Sequence, residues 1–245
     1  MNADYAKLAN DFDAGRIGYS TDLYSAITEY GFPSNGKILD LACGTGLASG
    51  PLAAAGAHIT GIDTSSAMLE FARERLPGAT FVEGKAEKLP FKQDEFDGAI
   101  CAQAFHWLDR QKAIDELIRV VKPRGIVAIW WKQIMADDPV NMMRDEVASG
   151  LKVTVPPSGL TGGFLEFYGA PFSDHTLRVI PWRMATSLDR YIGYERSRRS
   201  LNDAFGDKVE PYIEKLTERL RGRFGPGNPL ISIGYLQFLY LGRTL

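Results

Sequence analysis

Short continuous apolar runs alternate with stretches of 3.6-residue apolar period through the first half of the chain. That pattern predicts strands separated by crossover helices over a parallel sheet. Lys37–Leu41 reads as a first strand, followed by a glycine turn and a helix over about 47–55 that Gly56 ends. Residues 57–62 read as a second strand ending at Asp63, after which Thr64 or Ser65 caps a helix carrying Met68, Leu69, Phe71, Ala72 and Leu76. Three more strands are predicted at 79–83, 97–102 and 126–131, with a helix over 110–121 whose Ala113, Ile114, Leu117, Ile118 and Val121 fall on one face.

The second half is less regular. It predicts a helix over 138–151, a Gly/Pro-rich loop over 156–171, a strand over 176–182, helices over 188–199 and 207–223, and a last strand over 231–241. Seven strands with crossover helices make an α/β protein, and the periodic segments run almost to the C-terminus, which favours one domain.

Composition narrows the partners. The 245 residues carry 28 basic and 30 acidic side chains, a net charge of −2, with 45% hydrophobic residues. Such a balance argues against a protein built mainly to neutralise phosphates, so nucleic acid is a disfavoured partner. Arg196, Arg198, Arg199, Arg219, Arg221 and Arg223 are expected to be solvated helix faces paired with Glu195, Glu214 and Glu218. No stretch reaches the roughly 18–20 apolar residues of a membrane span, which makes a membrane an unexpected partner and a cytoplasmic location the default. Cys43 and Cys101 form no CxxC pair, and no clustered metal ligands emerge, so neither disulfide nor metal is expected. Oligomeric state is left open.

The chemistry concentrates where the first two strands end. A glycine-containing turn lets a ligand approach the backbone, and an acid at the end of the next strand can accept both hydroxyl hydrogens of a ribose. Here the turn is Asp40-Leu-Ala-Cys-Gly-Thr-Gly46 and the acid is Asp63. A dinucleotide loop would read G-x-G-x-x-G, whereas Ser49 stands where the third glycine could fall, and Asp40 suits an ammonium or sulfonium better than a pyrophosphate.

KILDLACGTGLASGPLAAAGAHITGIDTSSAML resembles the first motif and ribose-binding acid of class I S-adenosylmethionine-dependent methyltransferases. FVEGKAEKLPF, EFDGAICAQAFHWLD and VVKPRGIVAIWW resemble the later motifs in order. The resemblance implies a three-layer Rossmann-like fold: a seven-stranded, mostly parallel sheet with an antiparallel last strand, plus a helical cap. It also implies a division of the single domain, 1–245, into N-terminal helices over 1–36, a cofactor-binding half over 37–131, and a half over 132–245 that completes the sheet and covers the acceptor.

Carried over residue by residue, the resemblance assigns S-adenosylmethionine to Asp40, Ala42, Cys43, Gly44 and Gly46 in the turn. Asp63 takes the ribose, Thr64 and Met68 lie beside the adenosine, Ala86 and Glu87 cradle the adenine, and Gln103 and Phe105 stand where the chain passes the cofactor. Phe12 and Arg16 belong to a leading segment that folds over it, with Arg16 on the carboxylate. Two positions depart from the pattern: Ala42 replaces a glycine, and Lys85 replaces an aspartate that meets the adenine amino group in many relatives.

The implied reaction moves a methyl group to a small-molecule acceptor, a carboxylate or another O or N nucleophile. His106, in Ala104-Phe-His-Trp107, is the leading catalytic side chain, able to serve a nucleophile that is still protonated. Tyr5, Trp107, Trp131 and Tyr168 are the expected acceptor-binding aromatics. Alternation allows only one of Trp130 and Trp131 to face the ligand. His58 and His175 read as structural. The region after the fourth strand and SLDRYIGYERSRRSL are most similar to methyltransferases of the trans-aconitate type, which methylate a carboxylate. An RNA methyltransferase, a nicotinamide oxidoreductase and a non-catalytic module that keeps the cofactor fold are the alternatives.

Overall fold

The structure, a computed structural model, describes residues 17–155 and 171–245. Strands β1 (Lys37–Leu41), β2 (His58–Asp63), β3 (Thr80–Glu83), β4 (Phe96–Ala102), β5 (Val121–Ile134), β6 (Phe172–Ser187) and β7 (Leu230–Thr244) form one sheet in the order β3-β2-β1-β4-β5-β7-β6. β1 to β5 pair in parallel, whereas β7 runs antiparallel to both β5 and β6. The expected sheet is present, with the last strand in sequence as the antiparallel one. Strand order reverses between β1 and β4, so the loops leaving their carboxyl ends diverge and open a crevice.

Helices cover both faces. Helix α1 (Thr21–Glu29) buries Leu23, Ala26 and Ile27 and α2 (Gly50–Ala54) buries Leu52 in a cluster with Ile38, Ile100, Ala128 and Trp130. Between α2 and the next crossover, α3 (Ser66–Arg75) packs Leu69 and Ala72 on Phe81. On the opposite face, α4 (Arg110–Val120) lays Ala113, Ile114, Leu117 and Val120 on Leu39, Val127, Ile129 and Trp131. Each large aliphatic chain so buried contributes about 1.5–3 kcal/mol. Local signals set the helix starts: the side chains of Ser20, Ser65, Asp109, Asp138 and Ser187 each accept an N–H from the first turn of the helix they precede.

The cap has its own core. Helices α5 (Pro139–Gly150), α6 (Leu188–Ser197), α7 (Arg199–Phe205) and α8 (Val209–Phe224) gather Val140, Tyr191, Leu201, Tyr212 and Leu216 against Ile231, Ile233 and Tyr235 of β7.

Three boundaries differ from the sequence reading. α2 begins at Gly50, not near 47, because the preceding residues are tied into the turn: Ser49 Oγ donates to Asp40, and Arg75 donates to both oxygens of Thr45. β5 and β6 are longer than expected: β7 pairs with β6 along nearly its whole length and with β5 from Ile126 to Ile134, while Val121 at the start of β5 pairs with Phe96 of β4. Pro181 lies inside β6, which is tolerable because that strand forms the sheet edge. The Gly/Pro-rich loop lies almost wholly outside the described residues.

Candidate active site

β1 delivers the glycine turn and β2 delivers Asp63 beside it, since Asp40 pairs with Gly61 and Leu41 with Ile62. Asp63 Oδ2 accepts the Gly44 N–H at 2.9 Å and Oδ1 accepts the Ser65 N–H at 3.0 Å. Burial raises the Asp63 carboxyl above its usual range, and the N–H groups of Gly44, Ser65 and Thr64 pull it part of the way back. Each carboxylate oxygen has a second lone pair, so both can still accept a hydroxyl hydrogen.

The turn is held in a left-handed course, with φ of +55° at Ala42, +53° at Gly44 and +71° at Gly46. A Cβ on Gly44 would meet nothing within 4 Å, which leaves the backbone there open to a ligand. Ala42 adopts the positive φ despite its methyl group, so the replaced glycine has not altered the turn.

Beneath the turn Asp40 is fully buried. Its Oδ2 accepts from Ser49 Oγ at 2.6 Å, while Oδ1 has no hydrogen-bond partner. Burial pushes its carboxyl up to about 7; the Ser49 bond lowers it and the neighbouring Asp63 raises it. A buried acid with an unsatisfied oxygen beside an open glycine is suited to a nearby positive charge.

The loop after β3 is fastened to α4. Glu87 Oε1 accepts the Asp109 N–H at 3.0 Å, and Arg119 donates to the carbonyls of Leu89 and Phe91. At the end of β4, Gln103 turns at φ +59°, donating its N–H to the Trp130 carbonyl and its side-chain amide to the Lys132 carbonyl. A 3-10 turn, Phe105–Trp107, then presents His106 and Trp107.

Residues 39–129 match the family described as Methyltransferase domain. A demethylmenaquinone methyltransferase of Clavibacter sepedonicus is 44% identical over 97 residues, 38% of this chain and 40% of that protein. An uncharacterized methyltransferase of Mycobacterium tuberculosis is 29% identical over 131 residues, 54% of this chain and 53% of that protein. The chain thus spans about half or less of the length of these curated relatives. A candidate type II methyltransferase from Anaeromyxobacter dehalogenans superposes with a TM-score of 0.73 at 25% identity, covering 94% of this chain and 98% of that one. Residues 39–129 thus carry a methyltransferase domain, and the chain shares the fold of that methyltransferase along nearly its whole length.

Within that fold, the predicted residues divide into three groups. Asp40, Ala42, Gly44, Gly46, Asp63, Thr64 and Gln103 lie around the β1, β2 and β4 ends, with Thr64 exposed and Met68 buried at the start of α3. Ala86 and Glu87 lie in the loop after β3, Ala86 with its methyl group in the core and the exposed Lys85 beside it.

A second group has side chains packed into the core. The Cys43 side chain packs among Leu69, Ala72 and Phe81, and burial pushes its thiol well up. Phe105 is buried with Leu117 and Trp131. Both side chains are buried. Trp131 is 2% exposed, and its indole N–H donates to His106. Trp130 faces the other side of the sheet, edge-on to Tyr19 and Tyr24, as alternation requires. Phe12, Arg16, Tyr5 and Tyr168 lie outside the described residues.

The arginine expectation needs a larger correction. Arg196 pairs with Glu210 and Arg219 with Glu146, not with Glu214 or Glu218. Arg198 is largely covered, not solvated, its side chain 12% exposed: with Arg144 it clasps Glu195, which also accepts from the Tyr191 hydroxyl. Burial would raise the Glu195 carboxyl, but the two guanidiniums reverse this and hold it below its usual range. His175 bonds Tyr240 at 2.6 Å, in keeping with a structural role.

Sequence reasoning missed Lys132. This buried lysine donates to the carbonyls of Ile17 and, at 2.7 Å, Gly18, fixing the chain where it emerges from the leading segment. Ser20 reinforces the anchor by exchanging hydrogen bonds with Gln237 of β7. The available signal was a lysine directly following the apolar run of β5. Among the described residues no cluster of potential metal ligands occurs, and no helix is long and apolar enough to cross a membrane.

Proposed function

We propose that the protein transfers a methyl group from S-adenosylmethionine to a small-molecule acceptor. The observation that carries this reading is the Asp63 carboxylate, held by the N–H groups of Gly44 and Ser65 beside the open glycine turn. The residues fit the cofactor: Asp63 retains two lone pairs for ribose hydroxyls, Gly44 leaves room for the chain bearing sulfur, and Asp40 supplies an acid without a full set of partners. The cofactor supplies a methyl group on a sulfonium, a good leaving group.

What remains for the protein is largely positioning. Nucleophile, methyl carbon and sulfur must be held in line at a near-attack separation of roughly 3 Å. The 3-10 turn sets His106 and the exposed Trp107 just after β4, where they would meet the acceptor. The cap and the neutral overall charge favour a small acceptor over nucleic acid, and the likeness to a demethylmenaquinone methyltransferase supports an organic one.

Incubation with S-adenosylmethionine carrying a labelled methyl group and a metabolite extract tests the reading. Labelled small molecules are expected, and their formation should cease in Asp63→Ala. Tight binding of S-adenosylhomocysteine without transfer to any acceptor would instead point to a binding module, and binding of NAD alone to an oxidoreductase.

A further inference from the structure

A histidine beside a methyl acceptor can remove a proton or donate a hydrogen bond, and the two roles need opposite states of the facing nitrogen. The state of His106 is set by Trp131. An indole nitrogen can only donate, and Trp131 Nε1–H meets His106 Nδ1 at 3.0 Å. That bond occupies the Nδ1 lone pair, so the neutral ring carries its own hydrogen on Nε2. Trp131 has little freedom to release it, being buried on β5 among Cys101, Phe105 and Ile129. Burial, with Arg110 nearby, lowers the pKa of the ring and so favours its neutral form.

The opposite edge of the ring is available: among the described residues Nε2 makes no hydrogen bond, and the ring is only half-buried. The Trp107 ring lies 4.7 Å from it, centroid to centroid, and is 60% exposed. An N–H donor and a largely exposed indole therefore stand side by side just after β4.

We propose that His106 is a fixed Nε2–H donor rather than a proton acceptor, and that the acceptor is a planar anion whose oxygen takes this hydrogen bond while its ring or π-system lies on Trp107. Carboxylates and phenolates fit; amines, which need a base and offer no oxygen, do not. This rests on the methyl-transfer reading above. The step then needs no base: an acceptor oxygen lone pair forms the new O–CH3 bond, the S–CH3 electron pair returns to sulfur, and anion plus sulfonium become neutral ester or ether plus thioether. Trp131 is the positioning residue.

Long-range proton–nitrogen NMR of the 15N-histidine protein tests it, since the chain has three histidines, His58, His106 and His175, assignable by single replacement with glutamine. Without cofactor, His106 should show a single Nε2–H tautomer at neutral pH, and Trp131→Phe should give mixed tautomers and an upward-shifted pKa. A wild-type ring carrying hydrogen on Nδ1, or protonated at pH 7, overturns the donor role whatever the cofactor proves to be. With S-adenosylhomocysteine bound, benzoate or 4-nitrophenolate should shift the His106 Nε2–H resonance and benzylamine should not. No shift with either anion, or a shift with the amine alone, overturns the acceptor class. The tautomer needs no methyl transfer, so its failure is separable from failure of the proposed activity.

Discussion

In the half that carries the glycine turn, the polar contacts shaping the site are close in sequence: Ser65 to Asp63 across 2 positions, Ser49 to Asp40 across 9, Gly44 to Asp63 across 19. The half that carries the cap is held by contacts from far away, Gly234 to Asp138 across 96 positions, Lys132 to Ile17 across 115, and Ser20 to Gln237 across 217. The first set uses main-chain N–H groups around a carboxylate, which glycine spacing and strand ends fix locally. The second depends on which buried cation finds which oxygen after the sheet has closed. The crevice at the strand ends can thus be specified by a short segment, while the cap requires the completed fold.

Substitutions can break this contrast from either side. The largest effect is expected in the cap. Glu195→Ala leaves Arg144 and Arg198 without their shared carboxylate and should cost about 3–5 kcal/mol, read as a lowered urea midpoint. Affinity for S-adenosylhomocysteine in the remaining folded protein should be almost unchanged. A comparable loss of affinity would show that the two halves are not separable.

Gly61→Ala comes next. Its Cβ would lie 2.6 Å from the Phe81 ring and 2.8 Å from Cys43 Sγ, and overpacking of this kind costs about 1–3 kcal/mol, measurable by thermal melting. Gly44→Ala sharpens the point: no atom obstructs the new methyl group, so stability should fall only by the left-handed penalty of about 1–2 kcal/mol. Binding of S-adenosylhomocysteine should nevertheless be lost, because the methyl group would occupy the approach to the backbone. Unchanged calorimetric affinity would place the ligand elsewhere.

The subtlest expectation concerns Asp40. Burial raises its folded pKa to about 7, so its contribution to stability is fully present below the unfolded value and is lost as pH rises through about 7. A bound sulfonium favours the carboxylate. Binding of S-adenosylmethionine below about pH 7 should therefore release protons, with less release above it, seen as a difference in calorimetric heat between phosphate and Tris buffers. Asp40→Asn should abolish that share of the difference. An identical buffer dependence in the variant would remove Asp40 from the account.

The same contrast explains what was legible in the sequence. The glycine turn, the acid at the end of β2, the strand order of function-bearing segments and the cap at Ser65 all follow from spacing and local residue chemistry. The opposite facing of Trp130 and Trp131 followed from alternation, but not the partner that makes Trp131 matter. Arg198 looked like one of a run of solvated arginines because helical spacing cannot reveal that Arg144, on another helix, closes over the same glutamate. Lys132 was hidden for the same reason: its acceptors are main-chain carbonyls at the far end of the chain, which no side-chain pattern records.

Calorimetric titration of S-adenosylhomocysteine into the wild-type protein and into Asp63→Ala tests the central claim most directly. The account predicts saturable binding by the wild type, and a weakening of at least about 100-fold in the folded variant, as expected for loss of two hydrogen bonds to a charged group. Equal affinities for the two proteins, or wild-type binding of NAD and not of S-adenosylhomocysteine, would contradict it.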